Sequence, residues 1–131
     1  MILRKWQPTV CVDFDGTICE HRYPDVGQLM PGVREALLRF RDLGFRIIIS
    51  SCRTCHWNYE VFGGNPEDSV MMRQPVRDMC DFLLQHDIPF DEIDFGDKGK
   101  VMADFYIDDK AVRFTNWHDV TQFIEGKAIQ V

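Results

Sequence analysis

The stretch VCVDFDGTI, residues 10–18, decides the fold: an apolar run ends in two aspartates one residue apart and continues with Gly-Thr. Residues 8–14 begin with proline and are rich in β-branched side chains, which predicts a short buried strand. Ionised carboxylates are costly to desolvate inside a core. Asp13 and Asp15 therefore mark the place where the predicted strand leaves the core and a functional site begins.

Composition narrows the class of protein. A chain of 131 residues fits one domain, residues 1–131, with a sizeable core. The net charge of −6 disfavours nonspecific nucleic-acid binding, which needs a basic surface, and leaves a nucleotide or a strand end open as a small substrate. No segment approaches the ~20 apolar residues that cross a membrane, so we expect no membrane partner.

The cysteines predict a reducing compartment. The five are Cys11, Cys19, Cys52, Cys55 and Cys80. Their number is odd, and the first residues lack the apolar core and cleavage site of a secretory signal, so we expect reduced thiols in the cytoplasm. Cys52 and Cys55 form a Cys-x-x-Cys pair. A thioredoxin-like redox pair opens a helix after a first strand, and a structural zinc site needs two more ligands, so plain thiols are favoured over both alternatives.

Strands alternate with helices along the chain. After a loop at residues 15–30, Pro31 begins a helical pattern that stops at Gly44, and FRIIIS, residues 45–50, reads as a second buried strand. Residues 52–69 are irregular. Pro75 begins another helix, with Val76, Met79, Cys80, Leu83 and Leu84 on one face. The alternation predicts an α/β fold with a mostly parallel sheet and helices on both faces.

The end of the chain completes this pattern. DEIDF, residues 91–95, and DFYID, residues 104–108, read as two further strands. Asn116 is placed to cap a last helix that carries an apolar stripe of Trp117, Val120, Phe123 and Ile124.

Polar residues follow three of the predicted strands, at 13–15, 50–51 and 108–109. The carboxyl ends of neighbouring parallel strands meet at one edge of a sheet, where ligands bind. Carboxylates gathered there repel each other, and a hard divalent cation with oxygen ligands relieves that repulsion, which points to Mg²⁺. An aspartate can then attack phosphorus, and a second acidic group can protonate the leaving oxygen.

These residues resemble the haloacid dehalogenase (HAD) superfamily, over about residues 9–114. DFDGT is similar to its first motif, Asp-x-Asp-Gly-Thr. The resemblance implies that Asp13 is the nucleophile and a metal ligand, with Thr17 in support. It implies that Asp15 is the general acid and later the base, and that the Asp15 backbone carbonyl contacts the metal.

The other motifs follow in the family's order. IIISSCR resembles the second motif, with Ser51 favoured over Ser50 for phosphate binding and Arg53 as a candidate substrate-side contact. The motif lysine is Lys100 or Lys98. Lys100 is favoured because KVMADFYIDD resembles the ending of small members, although those often have proline where Val101 stands. By the same resemblance Asp108 reaches the metal, and Asp109 supports it or shares the task.

The spacing leaves no room for a cap domain over the site. Residues 18–30 are long enough for a flap only, and the irregular insert at 52–69 departs from the helical sequence usual in the family. The resemblance then implies a capless magnesium-dependent phosphatase whose open site takes a phosphorylated small or larger substrate, or is closed by a neighbouring subunit in a homo-oligomer. Two other hypotheses remain: a non-catalytic protein that binds a phosphorylated ligand, and a phosphotransferase whose acceptor is not water.

Overall fold

The computed structural model describes residues 7–55, 73–96 and 99–129. In chain order the elements are β1 (Thr9–Asp13), β2 (Cys19–Arg22), β3 (Asp25–Leu29), α1 (Val33–Asp42), β4 (Arg46–Ser50), a 3₁₀ turn (Cys52–Thr54), α2 (Gln74–Gln85), β5 (Glu92–Ile93), β6 (Phe105–Ile107) and α3 (Trp117–Ile129). Residues 56–69 of the predicted irregular insert lie outside the described residues. None of the described helices is long and apolar enough to span a membrane.

The central sheet is parallel. Its strands lie in the order β5-β4-β1-β6, and each neighbouring pair runs in the same direction. This confirms the predicted α/β class with a mostly parallel sheet, a Rossmann-like arrangement. In the register, Asp13 lies opposite Ser50, and Val12 lies opposite Ile107, so Asp108 leaves β6 at the edge where Asp13 ends β1.

The core forms around β1 and β4 because both carry runs of β-branched residues. Side chains on β1 and β4 alternate between the two faces of the sheet, and the three central residues of each strand are buried. The cluster comprises Val10, Val12, Phe14, Ile18, Cys19, Leu37, Ile47, Ile49, Met79, Phe82, Leu83 and Ile88.

Asp91 and Asp104 fasten the strands at their amino ends. The Asp91 carboxylate accepts a hydrogen bond from the Ile47 amide at 2.7 Å, and the Asp104 carboxylate accepts one from the Thr9 amide at 2.9 Å. Both hold the loop before an outer strand against an inner one. They show that part of the acidic excess is structural.

Helices α1 and α2 follow their predicted patterns. Helix α1 packs against β4 and ends before Gly44, whose φ of +92° suits glycine. Helix α2 has proline in its first turn and packs against β3 and the 3₁₀ turn. One predicted member of its buried face is wrong: Leu84 is 71% exposed, and Phe82 is buried instead.

The prediction of a loop across residues 15–30 is also wrong. Strands β2 and β3 form an antiparallel hairpin within this segment, which the sequence analysis had described as a flap. The prediction missed them because each strand is short and mostly polar, so neither shows the apolar alternation of a half-buried strand.

Helix α3 does not cover the sheet as the expectation of helices on both faces requires. Asn116 caps it as predicted, since its side-chain oxygen accepts a hydrogen bond from the Asp119 amide at 2.9 Å. The helix nevertheless leaves β6 open, with Phe105, Tyr106 and Ile107 all exposed.

Candidate active site

Three carboxylates meet where β1 and β6 end. Asp13 closes β1, and Asp108 and Asp109 follow β6 directly. One oxygen of each lies within 4.8 Å of the others, with Asp13 half-buried and the other two exposed. They are together because β1 and β6 are parallel neighbours. An oxygen-only set of this kind suits a hard divalent cation.

The cluster holds more negative charge than its surroundings favour. The pKa of Asp13 is raised from 3.8 to about 7, first by burial and next by the Asp108 charge, with smaller contributions from Asp109 and Asp15. A hydrogen bond with the Phe14 backbone acts in the opposite direction. Without a cation, Asp13 is therefore partly protonated near neutral pH. A cation beside it would favour the ionised carboxylate.

Gly16 leaves room for the Asp109 carboxylate, so the DFDGT segment contacts the end of the KVMADFYIDD segment. Its φ is +84°, and a Cβ at this position would lie 2.1 Å from Asp109 Oδ2. The Gly16 amide also donates to the Cys19 carbonyl at 2.8 Å, which closes the turn from β1 into the hairpin. The glycine of DFDGT is thus required by backbone conformation and by the space that the Asp109 carboxylate occupies.

Gly16→Ala is expected to destabilise the fold by about 1–3 kcal/mol, because the residue is strained at positive φ and its methyl group displaces the Asp109 carboxylate. Gly44→Ala is the matched control: Gly44 has φ +92° and open space around its Cα. Urea unfolding of both variants separates the two effects. Equal losses would show that the contact with Asp109 adds nothing.

Asp15 is held by Arg53. Arg53 Nε donates to Asp15 Oδ2 at 2.8 Å and Nη2 donates to Oδ1 at 2.7 Å, a bidentate ion pair. The Arg53 side chain is fully buried, and that of Asp15 is 14% exposed. Both carboxylate oxygens of the predicted general acid are therefore positioned by one guanidinium.

The remaining Arg53 donors bind three backbone carbonyls in two segments of the chain. Nη1 donates to the carbonyls of Pro24 and Pro75 at 3.1 and 3.0 Å, and Nη2 donates to that of Asp25 at 2.8 Å. The rings of Phe14 and Tyr23 lie 5.4 and 4.9 Å from its guanidinium carbon. Arg53 joins Asp15 to the β2–β3 hairpin and to the start of α2.

This placement corrects the prediction of Arg53 as a substrate-side contact. All five N–H donors of a guanidinium are used within the protein, and the side chain has no exposed surface. Arg53 is a positioning residue for Asp15 instead. The sequence analysis missed its partners Tyr23 and Phe14, and no local pattern could have found them because they lie far from Arg53 along the chain.

The two serines after β4 occupy different places. Ser51 is buried, and its hydroxyl oxygen accepts a hydrogen bond from the Arg53 amide at 3.0 Å, which caps the 3₁₀ turn. The hydroxyl proton is still available to a bound anion. Ser50 ends β4 opposite Asp13, and its carbonyl accepts the Phe14 amide at 3.2 Å.

The predicted lysine is not brought to the carboxylates. The Lys100 ammonium lies 5.2 Å from the centre of the Tyr106 ring, and no ion pair within the described parts of the chain includes it. Lys98, the alternative, lies outside the described residues. Thr17, in the first motif, has a buried hydroxyl oxygen without a hydrogen-bond partner among the described residues.

Neither cysteine of the Cys-x-x-Cys pair is in a disulfide. Cys52 is exposed and Cys55 half-buried. Burial, and next the charge of Cys55, raises the pKa of Cys52, which disfavours the reactive thiolate. In residues 7–55, 73–96 and 99–129 no group of three or more metal-ligating side chains includes either cysteine.

Solved structures relate this chain to known proteins. A conserved protein from Bacteroides thetaiotaomicron is 27% identical, with 91% of this chain and 90% of that chain covered and a TM-score of 0.58. A crystal structure of a Vibrio cholerae protein matches at 30% identity and a TM-score of 0.51, covering 92% of this chain and 98% of that one. This chain belongs to the same family as the Vibrio cholerae protein.

No protein-family model and no curated protein matches the chain. The relatives therefore support the fold and the family. Any activity must be argued from the residues of the site.

Proposed function

We propose that this protein is a magnesium-dependent phosphatase of the HAD superfamily that acts through an aspartyl-phosphate on Asp13. The observation that carries the proposal is the meeting of Asp13, Asp108 and Asp109 at the carboxyl ends of β1 and β6. Asp15, two residues beyond Asp13, supplies a second carboxyl group for proton transfer. The order of the four motif-like segments along the chain supports the same assignment.

The donor set fits magnesium. Asp13 and Asp108 would hold the ion with the Asp15 backbone carbonyl, and Asp109 would support them. All of these donors are oxygens, and burial, followed by the charge of Asp108, raises the pKa of Asp13. When bound, the ion offsets the negative charge of the carboxylates and of the phosphoryl group.

The chain's own residues divide the chemistry between them. The Asp13 carboxylate attacks phosphorus, the bond to the leaving oxygen breaks, and Asp15 gives that oxygen a proton. Asp15 then takes a proton from water as the water oxygen attacks phosphorus, which releases phosphate and restores Asp13. Ser51 and Lys100 are proposed to hold the phosphoryl oxygens. Lys100 must leave the Tyr106 ring to do so.

Arg53 sets the starting position of the proton donor. Both Asp15 oxygens accept hydrogen bonds from Arg53, so the guanidinium fixes the orientation of the carboxyl group. Each oxygen keeps a second lone pair, so Asp15 can take up and deliver a proton while the ion pair is kept. The Arg53 contacts with Pro24 and Asp25 link that step to the hairpin that flanks the site.

Release of inorganic phosphate from an aryl phosphate, with and without Mg²⁺, tests the proposal. We expect release only with the metal. Absence of release across a broad panel of phosphate esters, together with tight binding of one of them, would favour the non-catalytic alternative. Release that rises with added alcohol or sugar acceptors, with transfer to them, would favour a phosphotransferase.

Magnesium and protons are expected to compete at Asp13. In the metal-free protein the folded carboxyl keeps its proton up to about pH 7, whereas the unfolded one loses it near its ordinary pKa of 3.8. Stability from this group is therefore present at low pH and is lost as pH rises through that interval. Mg²⁺ should raise the melting temperature more at pH 8 than at pH 5, and Asp13→Asn should remove most of this difference. An equal increase at both pH values would contradict this assignment.

A further inference from the structure

Helix α3 carries an apolar stripe that is largely exposed among the described residues. Trp117, Phe123 and Ile124 are 75%, 53% and 54% exposed. They fall on one face at helical spacing with Val120, which is half-buried. A helix of 13 residues is marginal in water without tertiary packing. The stripe therefore indicates a surface that packs against another apolar surface.

An apolar groove lies open on the same chain. A cavity of about 350 Å³ runs between the end of α1 and strand β6, lined by Phe40, Leu43, Phe45, Phe105 and Ile107, with Val10 at its base. We call this surface the β6 groove. Leu43 is 55% exposed and Phe105 is 59% exposed, so the groove is unfilled.

Helix α3 contacts the segment that precedes it, residues 108–116, rather than this groove. We call this segment the connector. The Phe114 and Trp117 rings meet edge-on with centroids 5.4 Å apart, and Asn116 caps the first turn. The connector and the helix enclose a cavity of about 330 Å³ lined by Val112 and Phe123, among others. Within the described residues, no hydrogen bond or ion pair joins α3 to the sheet, α1 or α2.

We propose that the β6 groove receives helix α3 of a second copy of this chain, and that the two copies exchange their helices reciprocally. The chain's own helix is not seated in its groove, since Leu43 and Phe105 there are more than half exposed, so the groove and the stripe are both open to a partner. Two-fold exchange seats both helices in identical grooves and closes the assembly at a dimer.

The surfaces are large enough for a stable dimer. The exposed bulky apolar side chains of the groove, the connector and the helix are 36% to 75% exposed, whereas Phe40 and Phe45 of the groove are half-buried. Each aromatic side chain has a surface of about 150–250 Å². Covering the exposed ones at both groove–helix contacts of the dimer therefore buries on the order of 1,600 Å², the size of a standard stable interface.

Light scattering after size exclusion, over a wide range of concentration, tests the exchange. The wild type should have twice the mass of one chain. Phe123→Asp, on the stripe, and Leu43→Asp, in the groove, should each weaken association by about tenfold or more. Gln122→Asp is the matched control, because it adds the same charge on the opposite face of α3 and should remain dimeric. Circular dichroism establishes that each variant is folded.

Mixing the two variants tests whether the β6 groove binds helix α3 of another chain. The Leu43→Asp chain keeps an intact helix and the Phe123→Asp chain keeps an intact groove, so the mixture should recover association through one of the two seats. A wild type of single-chain mass at every concentration would overturn the proposal, as would a dimer unaffected by both variants. Failure of the mixture to associate would overturn helix exchange and leave another contact as the dimer interface.

Discussion

Asp13→Asn should lower kcat for phosphate release by about 10⁴-fold or more, because the amide cannot form the acyl phosphate on which the proposed reaction depends. The variant should not lose stability. The Asp13 carboxyl has a pKa of about 7, raised by burial and by the charge of Asp108, so its ionised form is unfavourable in the metal-free fold. A neutral side chain of the same shape removes that cost. Metal-free Asp13→Asn is therefore expected to melt at or above the wild-type temperature at pH 8.

Two measurements on each variant make this expectation specific: phosphate release with Mg²⁺, and thermal unfolding without it. Asp42→Asn is the control, because Asp42 is an exposed carboxylate at the end of α1, away from the three clustered carboxylates. It should leave both measurements unchanged. Retention of most of the activity by Asp13→Asn would rule out an aspartyl-phosphate on this residue.

Arg53→Met should cost about 3–5 kcal/mol of folding free energy, the range found when one partner of a buried ion pair is removed. The change leaves Asp15 without its cation and three backbone carbonyls without a donor. Arg53→Lys keeps the charge but cannot reproduce the planar fork that holds both Asp15 oxygens. We expect the lysine variant to fold and to lose about 10²-fold or more in kcat, since a misplaced acid forfeits the gain of general acid catalysis.

Urea unfolding together with kcat across pH separates support of the fold from positioning of Asp15. A purely structural role would lower stability and leave the pH dependence of kcat unchanged in the surviving folded protein. A positioning role should change that dependence in Arg53→Lys. Arg77→Lys, at an exposed position of α2, is the matched control and should change neither quantity. Full activity of Arg53→Lys would mean that proton transfer by Asp15 does not need the two hydrogen bonds from the guanidinium.

The sequence predicts those elements of the fold whose apolar pattern can be read from neighbouring residues along the chain. The valines of β1 and the isoleucines of β4 are buried as their apolar runs indicate, and the helical pattern of α1 buries Leu37. The parallel order of strands followed from the alternation with helices, and it brought Asp13 and Asp108 together as predicted. Asn116 was identified as a cap because a capping side chain acts within one turn of its own helix.

The missed features depend on contacts between distant segments. The Arg53 hydrogen bonds join residues 22 to 38 positions apart, and nothing in a window around SSCR reports them. The strands of the hairpin were missed because they are held by each other and by Arg53 more than by an apolar face. Lys100 was placed by family resemblance alone, and its side chain lies over Tyr106 instead of beside the carboxylates.

The carboxylate cluster joins a central strand of the sheet to an edge strand. Strand β1 lies between two neighbours in the sheet and is buried, whereas β6 is a three-residue edge strand with every side chain exposed. Edge strands of this kind open locally at a lower free energy than the global unfolding of the domain. An ion held by Asp13 and Asp108 binds only the closed form, so it raises the free energy of that local opening by mass action. Slow amide exchange at β6 would then measure site occupancy, independently of whether any substrate is turned over.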